Sequence, residues 1–166
     1  MDLVPRLWLE LGPAGAERGG ARGDIVVIID ALRASVTIAA GLRAGATYVK
    51  PVLTVAEAEA YLGDRSYRIA GERGGSKPPQ FDFGNSPSEI MAHRKEIANR
   101  ALVVTTSNGT KCVHAALPGA AEVLIGSAVN ASATADTAYA LARQRGTDIT
   151  LVAAGLHGQP ATEDTF

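Results

Sequence analysis

The chain has 166 residues, 46% hydrophobic and 20% charged, which gives it enough apolar surface for a real core and excludes a disordered polymer. Lys and Arg number 16 against 17 Asp and Glu, a formal net charge of −1, so no basic footprint points to nucleic acid or to an anionic membrane. The lone cysteine, Cys112, leaves no internal disulfide and suits a reducing, cytoplasmic compartment; the longest aliphatic run, IVVII at 25–29, is too short to span a bilayer, and MDLVPRLWLE lacks the pattern of a signal peptide.

Short apolar runs alternate with alanine-rich segments of helical period. DIVVIID at 24–30 reads as a buried strand, followed by a helix over 34–44 and a strand over 47–52. Thr54-Val55-Ala56-Glu57 matches a capping box and opens a short helix to about residue 62. A brief strand covers 67–70. GERGGSKPPQFDFG, 71–84, reads as a long ordered loop, and loops of that length in compact domains are functional or disordered. Ser86-Pro87-Ser88-Glu89 is a second capping box with proline at the first helical position, starting a helix to about residue 93. ALVVT at 101–105 is a strand with its helix over 109–117; 122–125 is a strand followed by a helix over 131–145, and 148–153 is the last strand. AGLHGQPATEDTF then stands where the pattern calls for another helix, so the chain reads as lacking a C-terminal part. The repeated strand–turn–helix unit predicts one α/β domain over 1–166, three-layer α/β/α, with a largely parallel sheet covered on both faces.

In such sheets ligands bind beyond the carboxyl ends of the strands, so the residues just after each strand are the first candidates. They are Asp30, Arg33 and Ser35 after the first strand; Glu72 and Arg73 after 67–70; Thr106, Ser107, Asn108, Gly109 and Thr110 after 101–105; Asn130 after 122–125; and Glu163 and Asp164 near the end. The neutral donors of 106–110, at a helix start, predict a cradle for an oxyanion such as phosphate; alternatively Ser107 or Asn108 merely caps that helix. Asp30 is either a catalytic or metal carboxylate or a helix cap. Arg33 lies one turn on and suits a phosphate clamp. Asn85 is a turn residue or a ligand contact. Ser86 and Glu89 read as a capping box, Cys112 and His114 as packing, His93 as solvated and His157 as a loop residue.

No P-loop, dinucleotide fingerprint, paired-aspartate phosphatase signature, cysteine-phosphatase loop or zinc-ligand cluster occurs. What remains is carboxylates with neutral donors, which suits Mg²⁺ and a small phosphorylated substrate.

VVIIDALRAS (26–35), IAGERGGSKPPQFDFGNSPSE (69–89), VVTTSNGT (103–110), VLIGSAVNASA (123–133) and AAGLHGQPATEDT (153–165) together resemble the 2-phosphosulfolactate phosphatases. The resemblance implies a Mg²⁺-dependent acid phosphatase that converts 2-phospho-3-sulfolactate to 3-sulfolactate and phosphate, a step toward coenzyme M, on a three-layer α/β/α fold.

The expected assignment follows. Asp30, Glu163 and Asp164 hold Mg²⁺; Arg33 and the 106–110 turn hold phosphoryl oxygens, with Asn130 as a further donor. Arg73 takes a second anionic group, Ser35 and Asn85 assist binding, and Glu72 protonates the leaving oxygen if burial raises its pKa. Two rivals are a non-catalytic domain that senses a phosphorylated metabolite and an isomerase for which phosphate is only a handle. A homodimer is compatible with everything in the sequence.

Overall fold

The structure, a computed structural model, describes residues 4–156 and 159–165. In chain order the elements are β1 (Leu7–Leu11), α1 (Gly12–Ala21), β2 (Ile25–Ile29), α2 (Ala34–Arg43), β3 (Val49–Pro51), α3 (Val55–Glu59), β4 (Tyr67–Gly71), β5 (Phe83–Gly84), α4 (Pro87–Ala92), α5 (Arg94–Ile97), β6 (Ala101–Thr105), α6 (Gly109–Ala116), β7 (Glu122–Gly126), α7 (Ala131–Arg145), β8 (Ile149–Ala153) and α8 (Thr162–Thr165). No described helix is long and apolar enough to cross a membrane.

The fold is α/β with parallel strands, as expected, but the strands form two sheets and not one. The first runs β1-β8-β2-β7 and the second β3-β6-β4-β5, and every pairing is parallel. The edge strands β7 and β3 do not pair, and α2 packs against both.

Alternation along the central strands explains the layers. On β2, Val26 and Ile28 face a cluster with Ala16, Cys112, Val113 and Ala116 from α1 and α6, while Ile25 and Val27 face Ala138 and Ala142 of α7. On β6, Leu102 and Val104 meet α2, α4 and α5, whereas Val103 packs with Ala58 of α3 and Phe81. Both faces of both sheets are thus apolar, which is why these strands read as continuous hydrophobic runs.

The sequence reading missed β1 and α1. Helix α1, GPAGAERGGA, has the composition of a loop, yet it lies tightly against α6. A Cβ on Gly20 would sit 2.6 Å from the Ala116 carbonyl oxygen, so here glycine permits a close helix–helix approach that outweighs its poor helix propensity. The N-cap half of both predicted capping boxes forms: Thr54 accepts from the Glu57 N–H and Ser86 from the Glu89 N–H, while the Glu57 and Glu89 carboxylates take the N–H groups of Leu53 and Gly84 instead of those of the caps.

Candidate active site

Strand register brings the site together. Gly71 of β4 pairs with Thr105 of β6 on one side and Gly84 of β5 on the other, so the chain leaves three neighbouring strands at one level. Glu72, the Thr106–Asn108 turn and Asn85 therefore emerge together, and the Glu72 N–H donates to the Thr105 carbonyl at 3.1 Å. From the other sheet β2 delivers Asp30 to the same place, with α6 packed against β2 and α2. Between them lies a cavity of about 300 Å³ lined by Asp30, Arg33, Glu72, Asn85, Ser107 and Asn108, together with Leu32, Gly74, Gly75 and Leu156.

The hydroxyl- and amide-rich turn does not form the open cradle that its composition suggested. Ser107 and Gly109 turn their donors to the protein's own carboxylates. The Ser107 N–H donates to Glu72 Oε1 at 2.6 Å and its hydroxyl to Oε2 at 3.0 Å, while the Gly75 N–H reaches Oε2 at 2.8 Å. Burial acts to raise the pKa of Glu72, but these donors and the Arg73 charge outweigh it and hold the carboxyl below its ordinary value. Glu72 is therefore anionic and does not meet the condition set for a proton donor.

Asp30 goes the other way. Its Oδ1 accepts the Ala34 N–H at 3.0 Å, so it does cap the start of α2. Burial raises its pKa and the charge of Asp164 adds to the rise, which the N–H groups of Ala34, Gly109 and Arg33 only partly offset. Gly109 is required here: a Cβ would come within 2.7 Å of Asp30 Oδ2 and 2.8 Å of the Ala34 Cβ.

Several expected ligand contacts have other partners. Thr106 and Thr110 are buried and bond reciprocally, each N–H to the other's hydroxyl at 3.2 Å, so their oxygens do not line the cavity. The Ser35 hydroxyl accepts the Asp30 N–H and donates to the Ile28 carbonyl, fixing the β2–α2 corner. Arg73 donates to the carbonyls of Glu72 and Leu53 and to the Thr105 hydroxyl, which ties its guanidinium to the frame and away from a second anionic group. Asn130 closes its own turn, accepting from the Ser127 N–H and hydroxyl at 2.8 Å and donating to the Ile125 carbonyl at 2.9 Å. It lies outside the cavity.

The carboxylate trio proposed for a metal is not assembled either. Asp164 accepts the Ala31 N–H at 2.7 Å on Oδ1 and the Gly155 N–H at 2.9 Å on Oδ2, so it clasps the Asp30 loop from behind. Glu163 is exposed and faces a different cavity, and no group of three His, Cys, Asp or Glu side chains suited to a metal occurs among the described residues. Cys112 is an inert packing thiol, pushed up to about 12 mainly by burial, with Asp30 and Asp164 adding to the rise. His157 lies outside the described residues.

Two lining residues retain free capacity. The exposed guanidinium of Arg33 has no hydrogen bond or ion pair with any described residue. Asn85 is only 6% exposed, yet its side-chain oxygen has no partner. Sequence reading overlooked Gly75, whose N–H helps to hold Glu72; the Gly74-Gly75 pair inside a long loop was the available signal.

A larger cavity of about 580 Å³ borders α7 and the first sheet, lined by Val27, Ile29, Ala138, Leu151, Tyr139 and other largely apolar groups. Its lining also includes Ser127, Thr134, Glu163, Asp164 and Thr165, but neither Asp30 nor Glu72.

The fold and this site define a parallel α/β protein with an acid-lined ligand cavity at the carboxyl ends of its strands. A family model described as 2-phosphosulpholactate phosphatase matches residues 13–166, and the chain belongs to that family. It is 41% identical over 145 residues to a probable 2-phosphosulfolactate phosphatase of Thermus thermophilus, covering 86% of this chain and 58% of the relative. It is 37% identical over 147 residues to a protein so named in Deinococcus radiodurans, with the same two coverages, and 40% identical over 141 residues to one in Thermotoga petrophila, covering 83% and 56%. The chain thus spans somewhat over half the length of the curated relatives it matches.

Proposed function

We propose that the chain carries the phosphoryl-handling site of a phosphatase that hydrolyses the phosphate monoester of a small acidic metabolite, 2-phospho-3-sulfolactate or a close analogue, to a hydroxy acid and inorganic phosphate. Family membership supports the reaction class. One observation carries the mechanism: a single cavity holds two carboxylates whose surroundings push them in opposite directions, Asp30 up and Glu72 down. Such divergence separates a proton carrier from a permanent charge.

Asp30 is then the acid–base group. Water adds to phosphorus as the ester P–O bond breaks, and the departing oxygen takes a proton from the Asp30 carboxyl, which regains one from the attacking water. Arg33 supplies a bidentate clamp for two phosphoryl oxygens at the mouth. Ser107 holds Glu72 in place, and Leu32 and Leu156 limit water around the ester. The carboxylate and amide oxygens of this wall are of the hard, neutral-to-anionic kind that would suit Mg²⁺. Glu72, held ionised, is the residue that would hold it; when bound, the cation offsets the charge of the phosphoryl group. A cytoplasmic setting is supported by the lone buried thiol.

The test is a screen of phosphorylated hydroxy acids with Mg²⁺ present or chelated, read as phosphate released by the wild-type chain and by Arg33→Ala. We expect release that needs Mg²⁺ and falls at least about 100-fold in Arg33→Ala. Stabilisation by the esters with no release would instead establish the metabolite-sensing reading.

A further inference from the structure

The unpartnered oxygen of Asn85 is a buried feature of the cavity that no described residue explains. A buried polar atom without a partner costs stability, and one kept at a ligand cavity points to what fills it. Its position is specific. Gly71 and Gly84 are register partners on β4 and β5, so Glu72 and Asn85, the next residue on each strand, leave adjacent parallel strands side by side. Both are buried, at 8% and 6% exposure, and both line the cavity.

The lone pairs can be counted. A carboxylate offers about four acceptor positions. Glu72 uses three of them, two on Oε2 for the Gly75 N–H and the Ser107 hydroxyl and one on Oε1 for the Ser107 N–H, which leaves one on Oε1. Asn85 Oδ1 has both of its positions open. The adjacent groups therefore each keep an unsatisfied oxygen, one formally charged and one neutral, at the wall of the cavity. Hard oxygens of this kind, few in number and beside room for water and phosphate, match a Mg²⁺-class divalent cation.

We propose that Asn85 Oδ1 and Glu72 Oε1 are the protein's ligands for a divalent cation bound beside Asp30. The proposal rests on the phosphatase reading for its purpose but not for its test, because the cation is measured without substrate.

The experiment titrates the full chain with Mn²⁺, followed by electron paramagnetic resonance, and with Mg²⁺, followed by calorimetry and thermal unfolding. We expect Asn85→Leu to weaken both cations by at least about tenfold. Its melting temperature without metal should equal or exceed that of the wild type, since an unsatisfied acceptor has been removed. Asn85→Asp, which keeps an oxygen and adds charge, should bind as tightly or more tightly, and Asn85→Ala, a smaller change to the fold, should weaken binding as Asn85→Leu does. Unchanged Mn²⁺ affinity in a folded Asn85→Leu or Asn85→Ala chain overturns the proposal, as does a wild-type chain that binds neither metal at millimolar concentration. Cation binding that depends on Asn85, in a chain that releases no phosphate from any ester, leaves this site standing and removes the phosphatase reading. Phosphate release that persists in chelator does the reverse.

Discussion

The turn after β7 and the turn after β6 are built from similar letters and used differently. In the first, Asn130 bonds Ser127 and the Ile125 carbonyl, so the polar groups close on themselves in the turn before α7. In the second, Ser107 reaches across to Glu72 while the Gly109 N–H faces Asp30, so one short segment fixes two carboxylates from two different sheets. Neutral donors at a strand end are thus ambiguous until their partners are known. A turn that spends its donors on itself is scaffolding, and one that spends them on buried acids sets the charge state of a cavity.

The sharpest way to break this contrast is at the acids themselves. Asp30→Asn should lower the turnover of a phosphate ester by roughly 10²–10⁴-fold while leaving the melting temperature close to wild type, measured as released phosphate and by calorimetry. Its pH profile should also lose the limb set by Asp30, whose raised pKa moves that limb above the ordinary carboxylate range. Gly109→Ala comes next. Its new methyl group has to displace the Asp30 carboxylate or the Ala34 methyl, and overpacking of this kind costs about 1–3 kcal/mol, together with most of the activity.

Glu72→Gln tests the electrostatics of the turn. Three donors converge on an anion there, so neutralising it should cost about 2 kcal/mol near neutral pH. A lowered folded-state pKa contributes stability that is present above the unfolded value of about 4.5 and is lost as pH falls through the folded one. Wild type should therefore lose stability in that acidic window while Glu72→Gln does not, so the two melting curves should converge at low pH. The smallest effect belongs to the self-contained turn: Asn130→Ala, which removes its bonds to Ser127 and the Ile125 carbonyl, should cost about 1 kcal/mol in calorimetry and leave cation binding and phosphate release untouched.

Much of this was legible from local pattern. Strands β2, β6 and β8, the Thr54 and Ser86 N-caps and the placement of Asp30 and Glu72 beyond strand ends follow from apolar runs and turn chemistry. Helix α1 was not legible, because its glycines are justified by packing, Gly20 against Ala116 of α6 and Gly19 against Thr150 of β8, both far along the chain. The internal partners of Thr106, Thr110, Arg73 and Asn130 were illegible for a related reason. A side chain's type shows that it can bond an anion, but only tertiary structure shows that it is already occupied. Asn85 is the converse, a residue ambiguous by sequence whose empty lone pairs become visible only once its neighbours are in place.

The clasp formed by Asp164 bears on how the molecule matures. A carboxylate 133 positions away closes the Ala31 N–H and, with it, the back of the Asp30 loop. A nascent chain that has already laid down β2, β4 and β6 still lacks this brace, so the corner that would carry out chemistry is finished after the scaffold around it. The order of synthesis therefore places the closing of this corner after the laying down of the strands that surround it.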